Sequence, residues 1–272
     1  MRPRRRMLLG LGIALVSLYI LLCGLLYAGQ EALLFHPSPL PLAYRFAFPG
    51  QWQERWLIMP DGTRLHGLLF QTEQPRKGLI FYLHGNGGTV ASWGNMAPVY
   101  TALGYDVFML DYRGYGKSAG RITSQAQLLG DVEAAYQALT PEYPEAQTVV
   151  LGYSLGTGLA TWLATRHHPR RLILQAPYYS IQDVAGHLIW PVRLVPGFVV
   201  RYPLPTYQFI GRVAAPITIF HGDQDATIYV GSSAKLQKLL KPADQVVILP
   251  GVGHNQMSDD PTYQQLIKSV LN

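Results

Sequence analysis

At 272 residues, of which 49% are apolar, the chain is long enough for one large globular domain and an appendage. Its net charge of +6 does not indicate a nucleic-acid partner, because Arg2, Arg4, Arg5 and Arg6 supply four of those charges. The sequence has no histidine pair at helical spacing for a metal and no cysteine cluster. We therefore expect no metal and no cofactor.

The N-terminal segment carries no charged residue from Met7 to Ala28. A helix of that length spans a hydrocarbon core of about 30 Å, so residues 1–29 predict an arginine-rich tail followed by one transmembrane helix. A cleaved signal peptide is the alternative, although it needs a shorter apolar region and a small-x-small cleavage site. Arg4-Arg5 also resembles a twin-arginine signal faintly.

The arginines precede the span, and almost no charge follows it closely. The positive-inside bias then places the N-terminus in the cytoplasm and the globular domain on the other side of the membrane, which is the periplasm in a bacterium. The sole cysteine, Cys23, lies inside the span and gives no information on the compartment.

Residues 30–50 form a proline-rich connector, which we expect to be a stiff stalk. Two runs around Asp61-Gly62 then predict an antiparallel hairpin. Six short apolar runs follow, mostly separated by helix-like segments, as in a parallel sheet covered by helices on both faces. These runs are 78–83, 107–110, 148–151, 172–174, 217–220 and 246–249. We expect an α/β domain at 51–272 with a mostly parallel central sheet and a leading antiparallel hairpin.

One interval interrupts this alternation. About forty residues separate Gln175 from Ile217, far more than an ordinary connection needs. We expect residues at about 177–212 to form a short cap over an active site. The interval is rich in aromatic residues: Trp190, Phe198, Tyr202, Tyr207 and Phe209.

The nucleophile is predicted from a strand-turn-helix pattern around Gly152-Tyr153-Ser154-Leu155-Gly156. Glycines two positions before and after a serine on so sharp a turn avoid clashes that a Cβ would cause. A second Gly-x-Ser-x-Gly surrounds Ser118, but it follows a glycine-rich loop instead of an apolar strand. We expect Ser154, and not Ser118, to be the nucleophile.

A serine hydroxyl needs a base, and the base needs an acid to orient it. His254 lies between the last apolar run and the last helix-like segment, and is the expected base. Asp225 follows the preceding strand and is the expected acid, with Asp223 and then Asp183 as alternatives. This gives the chain order Ser, Asp, His.

Two backbone N–H groups are expected to stabilise an oxyanion. Leu155 begins the helix behind the serine, and Asn86 lies in the glycine-rich turn after the first buried strand. His84 is expected to anchor that turn. Asp111 and Arg113 are expected to hold neighbouring backbone.

These motifs, in this order, resemble those of the α/β-hydrolase superfamily, and in particular of small membrane-anchored serine hydrolases. The resemblance covers roughly residues 30 to 272. It rests on His84-Gly85-Asn86, the Asp111 to Gly116 loop, the Ser154 turn, His221-Gly222-Asp223-Gln224-Asp225 and Gly253-His254-Asn255. It implies a Ser154–Asp225–His254 triad with oxyanion amides at Asn86 and Leu155. This chain has Ala226-Thr227-Ile228-Tyr229 after the aspartate, where relatives often show Val-Pro.

The expected activity is hydrolysis of carboxylic ester or thioester bonds through an acyl-enzyme. The expected substrate is a small or lipid-like acyl compound, and the membrane is contacted through the N-terminal helix. A peptidase or aminopeptidase of the same fold is the alternative, and an inactive membrane-tethered scaffold is an alternative of another class. The sequence does not indicate an oligomeric state.

Overall fold

The computed structural model describes residues 3–255 and 257–272, with side chains from Met7 onward. Arg2 and the side chains of Arg4, Arg5 and Arg6, on which the predicted orientation rests, lie outside the described part. The chain folds around one eight-stranded sheet of order β1-β2-β4-β3-β5-β6-β7-β8. The strands are β1 Gln51–Ile58, β2 Arg64–Gln71, β3 Gly78–Leu83, β4 Tyr105–Asp111, β5 Thr148–Tyr153, β6 Arg171–Gln175, β7 Ile217–Gly222 and β8 Gln245–Leu249.

The sheet is antiparallel at one end and parallel elsewhere. Strands β1 and β2 form the expected hairpin, β2 also pairs antiparallel with β4, and every later pair is parallel. Strands β3, β4, β5 and β7 are buried along their whole length. The absence of polar alternation in their sequences follows from this burial on both faces.

Helices cover both faces of the sheet, and two apolar clusters separate the sheet from them. The α-helices are α1 Pro3–Leu34, α2 Val90–Trp93, α3 Ala97–Thr101, α4 Gln125–Leu139, α5 Leu155–Ala164, α6 Ile181–Leu188, α7 Thr206–Phe209, α8 Gly231–Gln237 and α9 Pro261–Leu271. The expected α/β class, hairpin and mostly parallel sheet are confirmed.

Helix α1 is longer than the sequence predicts. Within the described residues, one helix is long and apolar enough to cross a membrane, and it runs from Met7 to Leu34 with a mean hydropathy of 2.5. It fits a single-pass anchor or a signal sequence. The helix continues past Gly29 because Gln30 is buried there against the α/β domain, where its amide donates to Val199 O.

The connector after α1 lies on the domain and does not form the expected stalk. Its first residues form isolated parallel bridges between His36 and Gly87 and between Pro39 and Gly116. Phe46, further along, is buried in one of the apolar clusters. The connector therefore crosses the surface of the domain, with a turn in which the Tyr44 N–H donates to Pro41 O at 2.9 Å.

We call the segment between β6 and β7 the cap. It comprises α6, α7 and three short stretches of 3-10 helix at Trp190–Leu194, Gly197–Val199 and Ile210–Arg212. It connects β6 to β7 above the carboxyl ends of the strands. Three further 3-10 turns occur elsewhere, at Gly94–Met96, Glu145–Gln147 and Met257–Asp259.

The first turn of α5 lies against the end of β3, and this packing predicts that Gly156→Ala destabilises the fold. A Cβ at Gly156 would overlap the carbonyl oxygen of Leu83, which belongs to a buried strand and cannot move alone. We expect a loss of about 1–3 kcal/mol in the free energy of unfolding, as for other overpacked sites.

The matched control is Gly130→Ala, in the interior of α4, where a Cβ meets nothing within 4 Å. Alanine there should stabilise the helix by about 0.5–1 kcal/mol. Denaturant unfolding of both variants in detergent measures the difference. Equal effects of the two substitutions would contradict the packing argument.

Candidate active site

Ser154 lies on a strained turn between β5 and α5. Its backbone has φ +50° and ψ −116°, a conformation that a residue with a Cβ rarely adopts. Two hydrogen bonds hold the turn in place: the Ser154 N–H donates to Gln175 O at 2.9 Å, and the Thr157 N–H donates to Ser154 O at 2.9 Å. A Cβ at Gly152 would overlap the backbone at Gly156, which explains the first glycine of the motif. The turn thus raises the serine hydroxyl above the sheet.

A chain of hydrogen bonds links the three predicted catalytic side chains. Ser154 Oγ lies 3.1 Å from His254 Nε2, and His254 Nδ1 lies 2.7 Å from Asp225 Oδ2. The three residues follow β5, β8 and β7, whose carboxyl ends meet at one edge of the sheet. With Nδ1–H donating to the carboxylate, Nε2 is free to accept the serine proton.

The carboxylate of Asp225 is buried and fully hydrogen-bonded. Its Oδ1 accepts from the N–H groups of Thr227 at 2.9 Å and Ile228 at 2.8 Å. Burial alone raises the pKa of Asp225, but the hydrogen bonds from His221, His254 and the Ile228 N–H outweigh it and hold the pKa well below its usual range. The group is therefore an ionised acceptor for the imidazole.

The alternative residues occupy other positions. Asp223 accepts the N–H of Gly251 at 2.7 Å, so it stabilises the loop that carries His254. Asp183, in α6, pairs with Lys235 of α8. The buried hydroxyl of Ser118 donates to Asp111 O at 2.7 Å. The structure brings only Asp225 of these acids to the imidazole.

The turn containing Asn86 is oriented by a buried histidine. His84 Nδ1 donates to Gly85 O at 2.7 Å. Because the C=O and N–H of a trans peptide point in opposite directions, this bond fixes the direction of the Asn86 N–H. Burial lowers the pKa of His84, so the ring is neutral. His84 thus anchors the turn without adding a charge.

The peptide of Leu155 is fixed in the same way. The carbonyl of Ser154, at its other end, accepts the Thr157 hydroxyl at 2.6 Å as well as the Thr157 N–H. Asn86, Ser154 and Leu155 all line one cavity. Two oriented amide donors beside a serine form the arrangement that can stabilise an oxyanion.

The sequence does not predict two tyrosine contacts that position the loops of the site. The hydroxyl of Tyr153 donates to the carbonyl of His254, which ties the histidine loop to the nucleophile turn. The hydroxyl of Tyr115 donates to Asn86 O at 2.8 Å and so holds the turn that contains Asn86. Both tyrosines stand inside recognised motifs, but only the folded chain shows which loop each one reaches.

Two side chains at the end of β4 and in the loop after it, Asp111 and Arg113, hold the surrounding structure through buried polar contacts. Asp111 Oδ1 accepts the Val90 N–H at 2.8 Å, as expected. Arg113, however, binds side chains rather than backbone, in a buried pair with Asp131 at 2.6 Å and a contact with Asp61 at 2.7 Å.

A cavity of about 370 Å³ extends from Ser154 between α1 and the cap. Its walls are mostly aliphatic, and no charged residue is among its described lining. Helix α1 contributes Leu26, Gln30, Leu33 and Leu34, and the cap contributes Ile181, Gln182, Val184, Ala185, Leu188, Ile189, Val192 and Val200.

The aromatic residues expected over the site lie elsewhere. None of the five cap aromatics lines the cavity. Tyr202 is buried against α1, where its hydroxyl donates to Glu31 at 2.9 Å. Trp190 and Phe198 point away from the site and are exposed. One face of α6 lines the cavity instead, with aliphatic residues at helical spacing: Ile181, Val184, Ala185 and Leu188.

Comparisons with known proteins agree with this geometry. Residues 74–209 match the family model described as "Serine aminopeptidase, S33". An uncharacterized protein of Mycobacterium tuberculosis is 30% identical over 85% of this chain and 82% of its own length. Human alpha/beta hydrolase domain-containing protein 17B is 27% identical over 78% and 72% of the two chains.

Among solved structures, an esterase of Pyrococcus furiosus superposes with a TM-score of 0.68 at 16% identity, covering 87% of this chain and 97% of the esterase. That likeness shows the shared fold. The family match, the relatives and the fold together establish that this chain is a hydrolase and belongs to the α/β-hydrolase superfamily.

Proposed function

We propose that the protein is a membrane-anchored serine hydrolase that cleaves carboxylic ester or thioester bonds of acyl substrates through an acyl-enzyme. The observation that carries the proposal is the hydrogen-bonded series Ser154, His254 and Asp225 beside an aliphatic cavity. A nucleophile, a base, an orienting acid and two amide donors meet there, as acyl transfer requires.

The reaction proceeds in two halves. Ser154 Oγ bonds to the substrate carbonyl carbon while its proton passes to His254 Nε2, and the N–H groups of Asn86 and Leu155 stabilise the oxyanion. Collapse breaks the bond to the alcohol or thiol, which takes the proton from His254. Water then attacks the same carbon, again giving its proton to His254. Cleavage of the acyl bond to Oγ returns that proton to Ser154.

The membrane half of the proposal rests on α1. Its apolar stretch from Met7 to Leu34 is exposed to the surroundings over most of its length, as a helix in lipid would be. We propose that it is an uncleaved single-pass anchor with the N-terminus in the cytoplasm and residues 51–272 on the other side. Residues of α1 line the cavity, so removal of the helix as a signal peptide would take away one of its walls.

The lining favours an acyl chain over a peptide. The substrate of an aminopeptidase has a free, charged α-amino group, and such a charge needs an acidic partner when it is buried away from water. No such residue is among the described lining of this cavity, although the matched family model carries an aminopeptidase name. An aliphatic pocket of this volume suits a hydrocarbon chain.

Ser154→Ala should abolish labelling by a fluorophosphonate probe, because the probe bonds to an activated serine hydroxyl. Gel fluorescence of the purified full chain measures the labelling. Ser118→Ala, in the second Gly-x-Ser-x-Gly, is the control and should still label, since its hydroxyl is buried in a backbone hydrogen bond. A folded wild type that fails to label would favour the inactive scaffold.

Asp225→Asn should lower kcat by about 10³–10⁴-fold, since an amide can hold the imidazole in the wrong tautomer. Asp223→Asn is the matched control two residues away. Its carboxylate supports Gly251 and not the imidazole, so kcat should fall by less than about tenfold. Steady-state kinetics on a p-nitrophenyl ester compare the two variants. A larger loss in Asp223→Asn would assign the acid to that residue.

Leu26→Trp should shorten the cavity from the α1 side and change the preference for acyl-chain length. We expect kcat/KM for long-chain p-nitrophenyl esters to fall by about tenfold or more, while short-chain esters change by less than about twofold, since overpacking excludes only the chain that reaches the new ring. Leu42→Trp, on the exposed surface, is the control. Turnover of aminoacyl anilides alone would contradict the proposed substrate class.

A further inference from the structure

The cap exposes large apolar side chains that the hydrolytic mechanism does not use. Trp190 is 64% exposed and Phe198 is 86% exposed, and Leu188, Ile189 and Leu194 are exposed to a similar extent. We call these five residues the cap face. Residues 184–200 contain a single formally charged side chain, Arg193, which is exposed and whose Nε donates to Gly186 O at 2.8 Å. Large apolar side chains exposed close together in this way mark a contact with another apolar phase.

The cap face lies alongside α1. The hydroxyl of Tyr19 donates to Leu194 O at 2.8 Å, and the Gln30 amide donates to Val199 O at 2.7 Å. Eleven residues separate Tyr19 from Gln30, so these contacts lie about 16 Å apart along the helix axis. The cap therefore follows α1 for about three turns, and the exposed apolar surface of the helix continues into the cap face.

The contact at Tyr19 sets the depth of the cap in a membrane. A hydrocarbon core of about 30 Å takes about 20 helical residues, and counted from Met7 it ends near Tyr27. Tyr19 then lies about 12 Å inside the core. Leu194 is hydrogen-bonded to it, so this part of the cap cannot remain in water if α1 spans the bilayer.

The residues at the expected boundary have the chemistry of a membrane interface. The guanidinium of Arg201 lies 5.3 Å from the ring centre of the half-exposed Tyr27 and 2.7 Å from Glu31. Tyrosine and arginine are the residues that anchor proteins at the level of lipid headgroups. Tyr27, Glu31 and Arg201 therefore lie where the hydrocarbon core ends when its thickness is counted along α1 from Met7.

We propose that the cap face inserts into the leaflet next to the hydrolytic domain, and that the cavity receives acyl chains laterally from the bilayer. Leu188 and Ile189 belong to both surfaces, because they line the cavity and are also exposed on the cap face. Leu26 and Leu33 form the opposite rim on α1. A chain that passes between these rims reaches Ser154 without crossing water.

The occupant of the cap face is therefore lipid hydrocarbon. The substrate class is an ester or thioester whose acyl chain is already in the bilayer. That second statement rests on the proposed function, whereas insertion of the cap face does not.

Nitroxide labels in the full chain test the insertion directly. In a Cys23→Ser background, Phe198→Cys and Ile58→Cys are labelled separately and reconstituted in phosphatidylcholine vesicles. Ile58 is a matched control, since it is 74% exposed on β1. The label at 198 should collide with oxygen more than with a water-soluble nickel chelate, and the label at 58 should do the reverse.

Equal nickel accessibility at the two positions would overturn the proposal. A label at 198 that is shielded from both reagents would show contact with a second copy of the chain, which overturns it as well. Neither outcome depends on enzymatic activity.

The route of the substrate is tested with Phe198→Asp, a position outside the cavity lining, and Ile58→Asp as its control. Phe198→Asp should lower hydrolysis of a long-chain ester in vesicles by about tenfold or more, because the apolar anchor is lost. Hydrolysis of a short-chain soluble ester should stay within about twofold. Parallel losses on both esters by a folded variant would overturn lateral entry. A wild type that cleaves neither ester would refute the proposed function, whatever depth the labels report.

Discussion

The close approach of α5 to β3 is the constraint on which the site depends. Strand β3 pairs with β5 so that Leu83 stands beside Gly152, and the first turn of α5 then rests on the carbonyl of Leu83. Only glycine at 156 allows this contact. The approach places the turn of Asn86 next to Ser154. A Cβ added to Gly85, in that turn, would lie only 3.6 Å from the Cβ of Ser154. The proposed oxyanion donors and the proposed nucleophile therefore owe their proximity to one pair of neighbouring parallel strands.

The eight strands and the chain order of the triad were predictable because they depend on local signals. Short apolar runs between turn residues are sufficient to predict strands buried on both faces. Ser154, Asp225 and His254 follow three such runs, and the carboxyl ends of parallel strands meet at one edge. A sequence that predicts the sheet thus also predicts that these residues lie close together, and the structure has them within hydrogen-bonding distance.

The contacts of α1 and the orientation of the cap could not be predicted, because both depend on residues far apart in sequence. Gln30 reads as the polar end of an apolar helix, yet its amide is hydrogen-bonded to Val199, 169 positions later. In the cap, residues 189–200 form only short turns without a repeating apolar period. Composition shows that the interval is apolar but gives no indication that Ile189 faces the cavity while Phe198 faces outward.

The electrostatics of the site separate one ionised group from one neutral one. Asp225 is held ionised by donors on several sides, which suits it to stabilise the imidazolium that would form in the proposed acyl transfer. His84 is also buried, and burial lowers its pKa more than the nearby Asp111 carboxylate and the hydrogen bond to Gly85 O raise it, so the ring is neutral. The neutral His84 ring therefore fixes the direction of the Asn86 N–H without placing a charge behind the turn.

Very few residues link the apolar helix α1 to the candidate site. Gln30 and Glu31 hold the cap through Val199 and Arg201. Only two residues after the helix ends at Leu34, the His36 N–H donates to Asn86 O at 3.1 Å. Because this connection is so short, a shift of α1 relative to the domain would move one wall of the cavity and also the turn that contains Asn86. Helix α1 is thus a part of the site as well as an apolar segment, and the two roles cannot be separated without rebuilding residues 30–36.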